Sequence, residues 1–274
     1  MSGDEPDSAG LRAYEDLEFL KRDELRPVRL MLELMKAEML QREADIRSTI
    51  VVFGSARIQS PSDARAQLTE ACRVRDRNPG DAAFEVAVSR AERALANAAY
   101  YDVAREFGRI VSAACQSDGR CEYVIVTGGG PGIMEAANRG AHDVGAKSIG
   151  LNIELPHEQS PNPYITPGLG FNFHYFAIRK MHFMLRAKAL VAFPGGFGTI
   201  DELFEALTLV QTGKVEHLPV ILVGQDFWER LFNLQLLVDE GLIAPADVRL
   251  FRFAETAEEA WRRIVDYHAG RGKD

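Results

Sequence analysis

Cysteine is the first scarcity. The 274 residues hold three, Cys72, Cys115 and Cys121, at no metal-ligand spacing and in an odd number, so they cannot all pair within the chain. They read as reduced thiols in a cytoplasmic protein. Long apolar runs are also missing: no stretch approaches the roughly 20 apolar residues of a membrane span. The opening MSGDEPDSAG lacks the apolar segment of a signal peptide, so no secretory signal is expected. Nor is there an excess of positive charge. With 32 Lys+Arg against 40 Asp+Glu the formal net charge is −8, which argues against broad binding to nucleic acid or to an anionic membrane. An anionic ligand would have to be held by a local pocket. His157 and His174 stand alone, without a second ligand at metal spacing, so no metal site is expected.

What is there instead is a repeated design: apolar strand, glycine turn, helix. Ala189–Phe193 is an apolar run short enough for a buried strand, and Pro194-Gly195-Gly196-Phe197-Gly198 breaks it. From Thr199 onward Ile200, Leu203, Phe204 and Leu207 recur on one helical face. Such a junction leaves backbone N–H groups unpaired at the positive end of the helix dipole. Glycine lets a phosphate come close to them. A plainer reading stands beside it. Thr199-x-x-Glu202 is also a capping box, and the glycines would then merely turn the chain.

A second unit is Thr49–Phe53 followed by Gly54-Ser55-Ala56-Arg57. Small residues at a strand's carboxyl end are where ligands sit in doubly wound sheets, and Arg57 either meets a phosphate there or is simply solvated. The third is Tyr123–Val126, then Thr127-Gly128-Gly129-Gly130-Pro131-Gly132, then a helix over Ile133–Ala141. Its three consecutive glycines depart from the GxGxxG fingerprint; it reads as a phosphate or sugar edge, or as a tight turn.

The remaining chain fits around these units. Residues 1–10 are expected to be a disordered tail, and 11–274 one domain with a helical extension over Leu11–Arg47. Pro27 marks a break in that extension. Leu30, Leu32, Leu34, Met35, Met39 and Leu40 form a broad stripe to pack on the domain edge or on a second subunit. Two helices are expected within Gln59–Tyr101, the second running on through Ala114, with no chemistry visible in them. Ser148–Ile153 is a strand, Leu155–Leu169 a long loop carrying Glu158, and Tyr175–Lys188 a helix carrying Arg179 and Lys180. Strand Pro219–Val223 and helices Phe227–Val238 and around Ala257–His268 follow. Alternation of this kind predicts an α/β fold: a parallel Rossmann-like sheet with helices on both faces.

Three stretches in order, TGGGPGIMEAA, FAIRKMHFM and PGGFGTIDE, resemble the Lonely Guy (LOG) family, which also carries the label "possible lysine decarboxylase". The signature PGGxGTxxE is met by Pro194, Gly195, Gly196, Gly198, Thr199 and Glu202, and an Arg-Lys pair by Arg179 and Lys180. The resemblance runs from about Thr49 to Gly241. It implies a Rossmann-like fold and hydrolysis of the N-glycosidic bond of nucleoside 5′-monophosphates, AMP or a cytokinin nucleotide, to free base and ribose 5-phosphate. It makes Arg179 and Glu202 the catalytic pair. Substrate contacts are expected from Gly54, Ser55, Gly128, Gly129, Gly130, Met134, Glu158, Lys180, Gly195, Gly196, Phe197, Gly198, Thr199 and Thr208. It implies no cofactor, no metal, and at least a homodimer. The chain has Phe176-Ala177-Ile178 where short plant-type members carry Met-His-x, and its extension and the 59–101 insert resemble longer bacterial members. Base preference and assembly stay open on that account.

The chemistry agrees with the residues. Breaking the C1′–N bond develops positive charge on the ribose, and a carboxylate beside C1′ stabilises it or draws a proton from water. Arg179 either clamps phosphate or offsets charge on the departing base. Asp201 reads as solvated. A pyridoxal-phosphate decarboxylase fits poorly: it would need Lys180 or Lys188 for its Schiff base, but the Arg neighbour of Lys180 makes an anion contact more natural and Lys188 sits at a helix end. The rival that remains is a non-catalytic carrier of nucleotide or molybdenum cofactor on the same fold.

Overall fold

The computed structural model describes residues 10–116, 121–154 and 160–270. The expected tail lies outside these residues, apart from Gly10, as does Glu158. Seven strands form one sheet: β1 (Thr49–Phe53), β2 (Val124–Thr127), β3 (Ser148–Ile153), β4 (Gly170–Phe173), β5 (Ala187–Ala192), β6 (Val220–Val223) and β7 (Phe251–Ala254). They run in the order β4-β3-β2-β1-β5-β6-β7, and every pairing is parallel. β1 is central, with Ile50 opposite both Ile125 and Ala189. All five of its residues are buried, as the continuous apolar run TIVVF requires of a strand covered on both faces.

The helices are α1 (Leu17–Lys21), α2 (Arg26–Glu43), α3 (Pro61–Arg77), α4 (Ala82–Asn97), α5 (Ala99–Cys115), α6 (Ile133–Asp143), α7 (Phe176–Leu185), α8 (Phe197–Gln211), α9 (Gln225–Leu231), α10 (Leu234–Asp239) and α11 (Ala257–His268). Alternate residues of β1 feed two core layers. Val51 and Phe53 pack with Phe183, Leu203, Ala206 and Val210 of α7 and α8, together with Ala37 of α2. Ile50 and Val52 pack with Phe107, Val111, Ile133, Ala137 and Ile264 of α5, α6 and α11. The chain leaves β1 toward β2, and after β4 crosses back to place β5 on the other side of β1. The carboxyl ends of β1 and β5 therefore flank a switch point, where parallel sheets open a crevice for ligands.

Several boundaries differ from the sequence reading. The extension does divide near Pro27, into α1 and α2, but Pro27 itself sits in the first turn of α2, where its missing N–H costs no hydrogen bond. The helix expected to run unbroken through Ala114 divides at Ala98, whose N–H turns back to the Leu95 carbonyl. That tightened turn lets α4 lie on α3 while α5 lies on the sheet. The helix over 227–238 is likewise two, because Phe232 is extended and Asn233 caps α10 with its side chain. β4 and β7 carry no strand signal in the sequence: GFNF follows a proline-rich loop, and FRFA carries an arginine. Both are edge strands, only half covered, so neither shows a continuous apolar run.

The stripe on α2 divides its duties. Ala37 and Gln41 are buried against the domain, while Met31, Leu32, Met35 and Met39 are exposed. Polar contacts tie α2 to α7. Glu38 takes Arg186 in a two-pronged pair at 2.7 and 2.6 Å. Glu33 accepts the N–H groups of His174 and Tyr175 just before α7 begins. The extension thus buttresses the helix that carries Arg179.

Candidate active site

α8 starts where the β5 apolar run ends, because Pro194 and two glycines cannot continue a strand. Its N-cap is Gly196, which has no side chain to offer. The first intrahelical bond at this end is from the Ile200 N–H to the Gly196 carbonyl, so the N–H groups of Phe197, Gly198 and Thr199 point out of the helix. A side chain on Gly195 would collide with Thr199, whereas one on Gly196 or Gly198 would meet nothing within 4 Å. Gly195 is thus demanded by packing; the other two leave the helix end bare. Phe197, 93% exposed, stands at the rim.

Thr199 is buried in the first turn and does not cap the helix. The capping-box reading of Thr199 and Glu202 fails for that reason: the cap falls three residues earlier, and the Glu202 side chain turns elsewhere. Its Oε1 takes a hydrogen bond from Arg179 Nη1 at 3.0 Å, with the two side chains only 9% and 12% exposed. Arg179 comes from α7, directed by its Nε bond to the Leu151 carbonyl at 2.7 Å and by its position over the Phe183 ring, one turn further along α7. Its Nη2 lies over Gly128 in the turn after β2. A side-chain carbon on Gly128 would sit 2.7 Å from that nitrogen and 2.8 Å from Met134 Sδ. Arg179, Glu202, Gly128 and Met134 therefore meet in one place.

Burial pushes the Glu202 carboxyl up to about 7, against the pull of Arg179 and Lys180. Burial also lowers the Arg179 pKa, with Glu202 and Asp201 opposing it. Lys180 points to the other side of the α7–α8 contact. Its Nζ lies 2.8 Å from Asp201 Oδ2 and 2.8 Å from Glu205 Oε2, which sit one turn apart on α8. Burial works against that charge, but the two carboxylates outweigh it and the pKa is raised. Asp201, expected to be merely solvated, is 60% exposed yet holds Lys180. A Schiff base requires a neutral lysine amine, and Lys180 is kept charged. Lys188 is half exposed, with Glu216 at 3.8 Å. These lysines do not fit pyridoxal phosphate.

The turn after β2 is rigid and buried. Gly129 adopts φ +74°, a conformation open to glycine at little cost, and its N–H donates to Thr127 Oγ1. Asn162 donates to the carbonyls of Gly129 and Gly130 and to Asn138, which in turn accepts from Thr127. Asn152 was not singled out in the sequence. A side chain on Gly129 would strike it, and its buried Nδ2 has no hydrogen-bond partner among the described residues. A lone amide inside the buried strand SIGLNI was the available signal. Gly54 and Ser55 are half buried. Ile133 packs where a Gly54 side chain would stand, and the Ser55 N–H donates to the Pro194 carbonyl, joining the β1 and β5 turns. Thr208 is set apart: it is exposed, about three turns along α8, with its hydroxyl bonded to the Phe204 carbonyl. Among the described residues no group of three or more His, Cys, Asp or Glu could hold a metal ion, and no helix is long and apolar enough to cross a membrane.

Fold and site define a class: a Rossmann-like α/β protein with an uncapped helix start beside a buried arginine–glutamate pair. Comparison with known proteins narrows it. The family model described as "Possible lysine decarboxylase" matches residues 134–264. A cytokinin riboside 5′-monophosphate phosphoribohydrolase of Oryza sativa subsp. japonica is 30% identical over 174 residues, covering 62% of this chain and 68% of the relative. A second, from Arabidopsis thaliana, is 29% identical over 151 residues, 53% of this chain and 66% of the relative. The chain belongs to this family, the LOG family. Among solved structures, a structural-genomics target aligns with a TM-score of 0.49 at 23% identity, covering 80% of this chain and 99% of that one. The molybdenum cofactor binding protein from the phototrophic bacterium Rippkaea orientalis aligns at 0.44 and 22%, covering 62% and 88%. At such values neither bears on ligand or activity.

Proposed function

We propose that this protein hydrolyses the N-glycosidic bond of purine nucleoside 5′-monophosphates, AMP or a cytokinin riboside monophosphate, to free base and ribose 5-phosphate. The observation that carries the reading is the buried Glu202 carboxylate, held by Arg179 one helical turn inside the bare N-terminus of α8. Gly196, Phe197, Gly198 and Thr199 offer N–H groups and a helix dipole to the 5′-phosphate. The ribose then lies toward Glu202. A carboxylate there stabilises the oxocarbenium-like ribose and takes a proton from the attacking water. The water oxygen bonds to C1′, and the C1′–N bond breaks with its electron pair leaving on the base, which picks up a proton. Arg179 fixes the carboxylate, and its Nη2, over Gly128, meets developing negative charge. Met134 and Asn152 border the same space, while Lys180 is held by Asp201 and Glu205 of α8. The names of the plant relatives support this reaction class.

The test is release of free base from a panel of nucleoside 5′-monophosphates by the purified chain and by Glu202→Gln. Turnover by wild type, lost in the variant, is expected. Tight nucleotide binding without turnover would favour the carrier reading and overturn this one. We further propose that the protein is a cytoplasmic homodimer. Two copies would cover the exposed apolar residues Met31, Leu32, Met35 and Met39 of α2 with Met181 and Leu185 of α7. Light scattering that reports a monomer at micromolar concentration would remove that part.

A further inference from the structure

A second cleft opens at the switch point, with Ser55, Pro194 and Gly195 on one wall and α4 on the other. Its volume is about 330 Å³, within the range of small-ligand sites. Arg90, Arg93, Ala94 and Asn97 enter it at helical spacing of three, four and seven, so one face of α4 is turned toward the sheet end. Arg57, at the end of the β1 turn, comes from the opposite side. Three arginines thus line one cleft in a chain whose formal net charge is −8, and among the described residues no carboxylate lines it.

Like charges at this density repel unless something offsets them. Elsewhere on this surface arginines find acids: Arg73 with Glu70, Arg105 with Asp143, Arg109 with Glu106. Among the described residues Arg93 bonds only to the Ser89 hydroxyl and carbonyl of its own helix. The cleft adjoins the Glu202 site through Ser55 and Gly195, but its arginines lie apart from that site. Arg179, Glu202 and Lys180 belong to α7 and α8, which cover one face of the sheet; α4 joins α5, which covers the other. The Pro194–Gly195 turn stands between them.

We infer that this cleft is a second anion site, built to take a diphosphate group. Three planar forks supply about three positive charges, matching a diphosphate better than a single phosphate ester, and guanidinium is the side chain suited to paired phosphoryl oxygens. The space exceeds what one phosphate fills. The group comes either from a nucleoside di- or triphosphate whose first phosphate sits at α8, or from a free diphosphate-bearing effector.

Calorimetric titration of the full chain with inorganic pyrophosphate, in the presence of saturating ribose 5-phosphate to occupy the α8 site, tests the inference whether or not the protein is a hydrolase. Wild type binds, and affinity falls as salt rises. Arg90→Gln weakens binding about tenfold, and Arg57→Gln/Arg90→Gln by about a hundredfold, as expected for losing charged hydrogen bonds. Arg65→Gln, on exposed α3 outside the cleft, binds as wild type does. Because these arginines are exposed, the variants keep the wild-type thermal midpoint. Pyrophosphate bound equally by wild type and double variant, or not bound by wild type, overturns the inference. A KM raised for ADP but not for AMP in the double variant identifies the source as a nucleotide's outer phosphate. A change in AMP turnover by pyrophosphate in wild type alone identifies a free effector.

Discussion

The turns after β2 and after β5 look alike in sequence, each a strand running into glycines and then a helix, yet they are built for different work. Around Gly128, Gly129 and Gly130 the chain is buried, and each space a side chain would fill at Gly128 or Gly129 is already taken by Arg179, Met134 or Asn152. Around Gly196 and Gly198 it is exposed and nothing stands within 4 Å. The first set of glycines is explained by neighbours in the protein. The second is not, and its openness at a helix N-terminus beside Glu202 is what points to a ligand. Glycine in a turn is thus informative only once its surroundings are known.

The comparison can be broken most severely at Glu202. Glu202→Gln keeps the shape and a hydrogen bond to Arg179 but cannot take a proton, so kcat for base release should fall by about 10²–10⁴. Replacement by alanine would strand a buried guanidinium, at a cost of about 3–5 kcal/mol, which is why glutamine is the cleaner probe. Next comes stability at the packed turn. Gly129→Ala combines φ +74° with a collision against Asn152 and should destabilise by about 3 kcal/mol, read from denaturant unfolding. Gly198→Ala should leave stability within about 1 kcal/mol, or raise it slightly, since alanine favours helix. It should nevertheless weaken ribose 5-phosphate binding at least severalfold. Equal stability losses at the two positions would erase the distinction.

The smallest effect is in pH dependence. With the free-enzyme carboxyl at about 7, kcat/KM should rise with pH and level off above 7, its midpoint above the phosphate ionisation near about 6. Glu202→Gln should lack that limb. Stability moves the opposite way. The folded pKa lies above the ordinary 4.5, so between these values the unfolded chain ionises first and wild type loses stability relative to Glu202→Gln as pH rises. Above about 7 the difference is level. A stability gap that instead widens in favour of wild type across that window would mean the carboxyl titrates low and Arg179 dominates its surroundings.

Much was legible because the central strands are covered on both faces. TIVVF, SIGLNI and the run at Ala189 had to be strands, and the alternation with helices made the sheet parallel. β4 and β7 were not legible, since an edge strand buries only one side and GFNF and FRFA carry no periodic signal of useful length. In the site, Arg179, Glu202 and the glycines could be named from their spacing and from the family pattern. The roles of neighbours could not. Thr199-x-x-Glu202 satisfies a capping box on paper, and only the position of the helix start at Gly196 shows that it is not one. Asp201 and Glu205 are ordinary acids in sequence, and they become the clamp on Lys180 when α7 is laid beside α8.

By itself the chain of residues determined the parallel α/β layering, the location of a glycine-rich helix start, and the absence of a membrane-length helix among the described residues, because local periodicity and glycine placement act over a few residues. Tertiary structure alone decided that Glu202 faces Arg179 rather than Thr199, and that Arg57, Arg90 and Arg93 line one cleft. Those encounters join segments far apart in the chain, and burial sets the protonation of Glu202 only after they are made.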